Sequence, residues 1–324
     1  MTKPILLSTG IQMPLVADGI AASYDVHWLN KAADKAKMIA EISPRVVAIC
    51  TGAHTGVKTD AAMMAQMPKL KIIGNVGVGY DSIDLAAAAK QGVVVTNTPG
   101  VLDEEVADTA IALLLNTVRE LPQAEAYLRA GRWAKEGDYS LTAGSLRDRK
   151  IGMIGFGRIG KAIGRRIESF GVPISYFGRK KQAGVAYPFY DNLAAMARDV
   201  DTLIAILPGG PATANIVNAV VLAALGPRGV FINMARGSIC DEAALKAALR
   251  SKTIHAAGLD VYASEPNFDW DMTTIPNLVL LPHVGSASQL TRNKMGQLVV
   301  DNLAAFAIGK SPLTPVPETP FKGW

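Results

Sequence analysis

Cysteine is nearly absent from this 324-residue chain: Cys50 and Cys240 are its two, each inside an apolar stretch. Neither has a partner at metal-ligand spacing, which excludes a disulfide-dense scaffold and a cysteine-based metal site. Two buried thiols in a reducing compartment are the expectation, and no metal is expected. Long charge runs are also missing. Arg179-Lys180-Lys181 is the longest run of basic residues, and no basic tract interleaves with aromatics, which make up only 6% of the chain. Nucleic acid is therefore not an expected partner. No apolar run reaches the ~18 residues of a membrane span. Residues 1–10 lack a basic region followed by an apolar one, so neither a membrane nor a secretory route is expected. The reading is a soluble cytoplasmic protein.

Glycine is plentiful at 30, hydrophobic residues make up 49% and charged residues 19%. That is globular composition, and at ~150 residues per domain the length suggests two domains. The net charge of +5 suits an anionic substrate or cofactor and equally suits a solvated surface. Short apolar runs alternate with helical patterns. Strands are predicted at 4–8, 46–51, 70–76 and 93–96, with helices at 11–23, 61–67 and 84–91, the last ending at Gly92. A turn at Asn97-Thr98-Pro99-Gly100 leads into a helical pattern over 103–129, broken or kinked by Pro122 and ended by Gly131. A second series starts at Lys150, with strands at 151–154, 173–177, 200–205, 230–233, 256–260 and 278–281 and helices at 159–170 and 242–251. A last amphipathic helix, 288–308, presents Leu290, Met295, Leu298, Val299, Leu303 and Phe306 and has no strand after it, so it is free to pack back on the first domain. A Pro-rich tail from Ser311 is expected to run extended along the surface. Such alternation implies an α/β fold of two doubly wound parallel-sheet domains, one discontinuous (1–99 plus 288–324) and one Rossmann-like (100–287).

Gly155-Phe156-Gly157-Arg158-Ile159-Gly160 is G-x-G-x-x-G placed between an apolar strand and a helix. In that context Gly155 permits the tight turn, Gly157 lets backbone approach a pyrophosphate, and Gly160 lets helix and strand pack closely. The helix N-terminus then faces the negative charge. Gly77-Val78-Gly79 lacks the third glycine; it is not read as a dinucleotide loop, but its bare amides suit an anion. The segment after the next strand, Gly178-Arg179-Lys180-Lys181, carries no acid before Asp191. An acid there would bind a ribose 2′-hydroxyl, whereas Arg179 and Lys180 suit a 2′-phosphate, so NADP(H) is favoured over NAD(H).

Three polar residues follow apolar strands of the second half: Arg236, Glu265 and His283. All lie beyond the carboxyl ends of predicted parallel strands, where open α/β sheets bind ligands. Carbonyl reduction needs such a set. A histidine oriented by a carboxylate can protonate the oxygen, and an arginine can hold a substrate carboxylate.

In this order the motifs resemble the D-isomer-specific 2-hydroxyacid dehydrogenase family, and within it the glyoxylate/hydroxypyruvate reductases. The matching segments are 76–84, 97–100, 155–160, 233–237, 259–262, 265–266 and 282–283. The resemblance implies a reductase acting on a small 2-oxo acid, with two domains closing over a cleft and a homodimer built on the cofactor domains. By the same resemblance Arg236 binds the substrate, His283 is the general acid and Glu265 its partner, while Val78 and Gly79 offer amides to the substrate carboxylate. Thr109 and Asp260 belong to the nicotinamide region, and Met234, Ala235 and Gly285 to the cofactor site. Arg158 and Ile159 flank the pyrophosphate, and Leu207, Pro208 and Thr213 the adenosine side. Two departures shape the expected substrate. No regulatory domain is expected after the last helix, unlike in the longer phosphoglycerate dehydrogenases. Gly131-Arg132-Trp133 lacks the second Trp that some hydroxypyruvate reductases carry shortly afterwards, which leaves room for glyoxylate or a bulkier 2-oxo acid. Ala53 and His54 are further pocket candidates. Two alternatives stand beside this reading: an oxidative member acting on formate, phosphite or a sugar acid, and a non-catalytic, dinucleotide-sensing protein like the family's corepressors.

Overall fold

The computed structural model describes residues 2–52, 57–142 and 144–323; Ala53 and His54 lie outside them. The chain divides into two compact units, Met1–Leu102 with Ser288–Trp324, and Asp103–Ala287.

The first unit opens with β1 (Ile5–Ser8), α1 (Pro14–Ser23), β2 (Asp25–Trp28), α2 (Lys35–Ile42), β3 (Val46–Cys50), α3 (Ala61–Ala65), β4 (Ile72–Gly74), α4 (Leu85–Gln91) and β5 (Val94–Thr96). Its strands form a parallel sheet in the order β2-β1-β3-β4-β5. β1, β4 and β5 are buried at every position. Helices cover both faces of such sheets, which is why these strands read as apolar runs without alternation. β2 and α2 were not predicted. β2 is a half-exposed edge strand of mixed polarity, and α2 is a short helix started by the Asp34 carboxylate, which accepts from Lys37 N at 2.9 Å. α4 ends where Gly92 turns left-handed at φ +72°.

The second unit comprises α5 (Asp103–Arg119), α6 (Leu121–Arg129), α7 (Arg132–Glu136), β6 (Ile151–Ile154), α8 (Arg158–Glu168), β7 (Ile174–Phe177), β8 (Phe189–Tyr190), α9 (Leu193–Asp199), β9 (Thr202–Ala205), α10 (Ala219–Leu225), β10 (Val230–Asn233), α11 (Glu242–Arg250), β11 (Ala256–Leu259) and β12 (Leu278–Leu280). Its parallel sheet runs β12-β11-β10-β9-β6-β7-β8. The order reverses between β6 and β9, and the crevice beyond the carboxyl ends of such a pair is where doubly wound sheets bind dinucleotides. The predicted helix over 103–129 is two helices. The break falls at Glu120, left-handed at φ +53°, and Pro122 sits in the first turn of α6, where its missing N–H costs nothing. α10, Ala-Val-Val-Leu-Ala-Ala-Leu, escaped prediction because a short run apolar on every side has no helical period to read.

The chain then returns to the first unit as α12 (Gln289–Ala307), capped by Ser288. α12 lies on α1: a Cβ on Gly19 would come within 2.6 Å of the Val300 methyls, and the Tyr24 hydroxyl donates to Leu303 O at 2.7 Å. Met295, Val299, Leu303 and Phe306 are buried, whereas Leu290, expected on the apolar face, is 65% exposed. The Pro-rich tail does more than run along the surface. Val316 N donates to Val95 O at 2.8 Å, and Val95 N to the Thr319 hydroxyl at 2.9 Å. The tail thus covers the β5 edge and buries Val316, protecting an edge that would otherwise expose unpaired amides.

Candidate active site

The glycine loop joins β6 to α8. Gly155 is left-handed at φ +92°, and a Cβ there would lie 2.8 Å from Leu207 Cβ. A Cβ on Gly160 would lie 2.9 Å from Gly155 O. The fold itself therefore requires both glycines. Gly157 differs: a Cβ there would meet nothing within 4 Å. Its bareness leaves space beside the first turn of α8, the turn formed by Arg158, Ile159 and Gly160, and no side chain caps that helix. Uncapped amides at a helix start beside a bare glycine fit a pyrophosphate. Arg158 itself pairs with Asp103 at 3.2 Å.

Gly155 N donates to Phe177 O at 3.0 Å, levelling the ends of β6 and β7. The turn after β7 holds Arg179 and Lys180, both exposed. Gln182, which the motifs did not signal, ties this turn to the glycine loop. Its backbone N donates to the Tyr176 hydroxyl and its side-chain amide to Phe156 O, both at 2.8 Å. On the other side of the loop Thr213 donates to Pro208 O at 2.9 Å, which stiffens the segment after β9.

Arg236 follows β10. The buried Asn233 shapes its turn: the side-chain amide donates to Arg236 O at 3.0 Å, and Ala235 N donates to the amide oxygen at 3.1 Å. Gly209, next to Pro208, is where a Cβ would lie 2.9 Å from Arg236 Cγ, so the loop carrying Leu207 and Pro208 lies against Arg236.

His283 follows β12. Its Nδ1 lies 2.6 Å from Glu265 Oε2, with the two side chains 26% and 21% exposed. The other oxygen, Glu265 Oε1, accepts from Tyr262 N at 2.9 Å. His283 is left-handed at φ +53°, a conformation costly for a side-chain-bearing residue and usually held by its surroundings. Asp260 does the holding. Its carboxylate accepts from Val284 N at 2.7 Å and from Gly285 N at 2.8 Å, the two amides after His283. Burial raises the Asp260 pKa against the pull of those amides and of His283. A Cβ on Gly285 would lie 2.9 Å from Asp260 Oδ2 and 3.2 Å from Met234 Cε, so glycine is needed for the contact. Thr109 donates to Gly285 O at 3.3 Å. His283, Glu265, Asp260, Gly285, Met234 and Thr109 are therefore one connected group.

In the first unit Val78 and Gly79 lie in the loop after β4. That loop is held by Asn75 and Thr51, which motif reading missed. The Asn75 amide donates to Gly77 O at 3.1 Å and Gly79 O at 2.9 Å, and Thr51 bridges Asn75 Oδ1 and Val76 N. Both are buried polar side chains at strand ends, a weak signal in sequence.

A doubly wound sheet with a phosphate-ready glycine loop at its switch point, and a histidine–carboxylate pair beyond its strands, defines a nicotinamide-dependent oxidoreductase. The D-isomer specific 2-hydroxyacid dehydrogenase NAD binding domain matches residues 111–285, and the chain belongs to that family. It is 37% identical to a 2-ketogluconate reductase of Gluconobacter oxydans, over 97% of this chain and 99% of the relative. It is 44% identical to a hydroxyphenylpyruvate reductase of Plectranthus scutellarioides, over 81% and 83%. Among solved structures, an NADPH-dependent glyoxylate/hydroxypyruvate reductase of Sinorhizobium meliloti, bound to NADP and malonate, superposes with TM-score 0.93 at 50% identity, covering 99% of this chain and 98% of the other. No helix among the described residues is long and apolar enough to cross a membrane.

Proposed function

We propose that the protein reduces a small 2-oxo acid of the glyoxylate/hydroxypyruvate type to the D-2-hydroxy acid with NADPH, and that His283 gives the proton. The observation that carries this reading is the 2.6 Å His283–Glu265 pair at the carboxyl end of the sheet that also carries the glycine loop. Bound NADPH supplies the hydride. Glu265 accepts a hydrogen bond from His283 Nδ1–H, so the ring stands fixed with Nε2 as the proton-giving atom. Arg236 holds the substrate carboxylate and polarises its carbonyl, and the bare Val78 and Gly79 amides of the first unit suit an anionic group. The first unit is thus the substrate-binding domain and the second the dinucleotide-binding domain.

Arg179 and Lys180 select the 2′-phosphate, a reading supported by their exposure after β7 and by the NADP bound to the Sinorhizobium relative. The protein works as a cytoplasmic homodimer. The named activities of the relatives, from glyoxylate to hydroxyphenylpyruvate and 2-ketogluconate, suggest a pocket tolerant of side-chain size. Initial rates of NADPH and NADH oxidation against glyoxylate, hydroxypyruvate, phenylpyruvate and 2-ketogluconate test the proposal. NADPH-dependent turnover that vanishes in His283→Ala is the expected result. Turnover with none of the four acids would overturn it.

A further inference from the structure

The Tyr262–Ala263 peptide, which follows β11, is held from several sides. Tyr262 N donates to Glu265 Oε1 at 2.9 Å. The next amide, Ala263 N, donates to Glu242 Oε1 at 2.7 Å. The Tyr262 hydroxyl donates to Leu281 O at 2.8 Å, two residues before His283. Gly237, next to Arg236, packs flat on the same peptide: a Cβ there would lie 1.8 Å from Tyr262 C and 2.1 Å from Ala263 N. This one peptide therefore touches the chain beside Arg236, Glu265 and the approach to His283.

Glu242 is the unexpected member. It opens α11, whose N-cap is already made by Asp241, accepting from Ala244 N at 3.0 Å. A glutamate in that turn suits the helix dipole and ordinarily points to water. Here it is partly buried and reaches 21 residues along the chain to Ala263. A carboxylate accepting a backbone amide makes a strong, charge-assisted hydrogen bond.

We propose that Glu242 is a positioning residue for the proton donor, acting through Ala263 to hold the Glu265 carboxylate in register with His283. This rests on the reading of His283 as general acid. Consecutive amides are gripped by two carboxylates, and Glu265 can meet His283 Nδ1 squarely only while the segment from Tyr262 to Glu265 is fixed. Asp260 feels the charge of His283, and Glu265 meets its Nδ1 at 2.6 Å. Glu242 in turn feels Glu265, Lys246 and Asp269. Losing the Ala263 contact loosens Glu265 and weakens its hydrogen bond to His283 Nδ1.

The test compares Glu242→Asp, too short to reach Ala263, with Glu242→Gln, which keeps an acceptor oxygen, and Glu242→Ala. The His283 Nδ1–H signal is followed by proton NMR in the full-length protein; with four histidines in the chain, His283→Ala assigns it. The expected result is an upfield-shifted or broadened Nδ1–H signal in the Asp and Ala variants and a near-native one in Gln. In parallel, kcat with a 2-oxo acid falls about tenfold in Asp and Ala and much less in Gln, with KM for NADPH unchanged. An unmoved His283 Nδ1–H signal in Glu242→Asp overturns the proposal whatever the activity, and so does a Gln variant as impaired as Ala. Should Glu242→Ala fail to fold, the Asp and Gln pair decides alone. Failure of the functional reading looks different: His283→Ala then turns over like wild type, while the Nδ1–H signal still reports on Glu242.

Discussion

The seven-stranded sheet carries a histidine and a glutamate together at each of its ends. Beyond the carboxyl ends, His283 and Glu265 meet at 2.6 Å. At the amino ends, His255 Nε2 lies 3.9 Å from Glu120 Oε1, outside hydrogen-bond reach. The second Glu120 oxygen accepts from the Tyr139 hydroxyl at 3.0 Å, and the buried His255 Nε2 has no hydrogen-bond partner among the described residues. Burial and then Arg149 lower the His255 pKa, against the weaker pull of Glu120. The cations differ in the same way. Arg149, at the amino ends, is 3% exposed and donates to Thr202 Oγ1 and Arg228 O at 3.2 and 3.1 Å. Arg179 and Lys180, at the carboxyl ends, are exposed. The two histidine–glutamate pairs are about equally exposed and differ in contact, His283 meeting its carboxylate directly and His255 not. The arginine at the amino ends is consumed by the fold, and the cations at the carboxyl ends are presented.

That contrast can be broken experimentally. The largest expected effect is on kcat: His283→Ala should lower it about 10³-fold, while His255→Ala leaves it unchanged. Steady-state rates with the best 2-oxo acid decide, and equal losses would erase the distinction. Next, Arg179→Ala combined with Lys180→Ala should raise KM for NADPH roughly 10- to 100-fold, leaving KM for NADH and the unfolding midpoint as they were. Arg149→Ala should do the reverse. It removes the donor to Arg228 O and the cation 3.5 Å from Asp201, and should cost about 2–4 kcal/mol of stability in urea titrations with KM for either cofactor intact. The smallest effect concerns acid. His255 has a folded pKa below its unfolded value, so the unfolded chain takes up its proton first. Its contribution to stability is present above about pH 6.5 and is lost as pH falls below that value. His255→Gln should flatten the stability curve on the acid side, read as denaturation midpoints from pH 7 to 5.

The strands were legible because parallel strands buried on both faces read as apolar runs; β6 and β10 stand within the predicted bounds. The edge strands β2 and β8 carried no such run. The helix break was legible as an event, since Pro122 announced it, but its place at Glu120 was not, because a left-handed glutamate has no local signature. Among the site residues, glycines and strand-end polar residues showed themselves by motif. Gln182 and Glu242 did not, because each acts on a backbone group brought to it by packing, and Asn75, which bonds Gly77 and Gly79 within its own loop, belongs to none of the motifs.

The sequence alone determined the period of strands and helices, the glycine loop and the chemical types available beyond the strands, since these depend on spacing within a few residues. Only the tertiary structure decided which histidine of the sheet meets its carboxylate. The sequence places His283 after a predicted strand and His255 before one, but it gives neither a distance to a carboxylate. Glu265 and Asp260 reach His283 across 18 and 23 residues, and the β11–β12 pairing that brings them together is a product of the whole sheet.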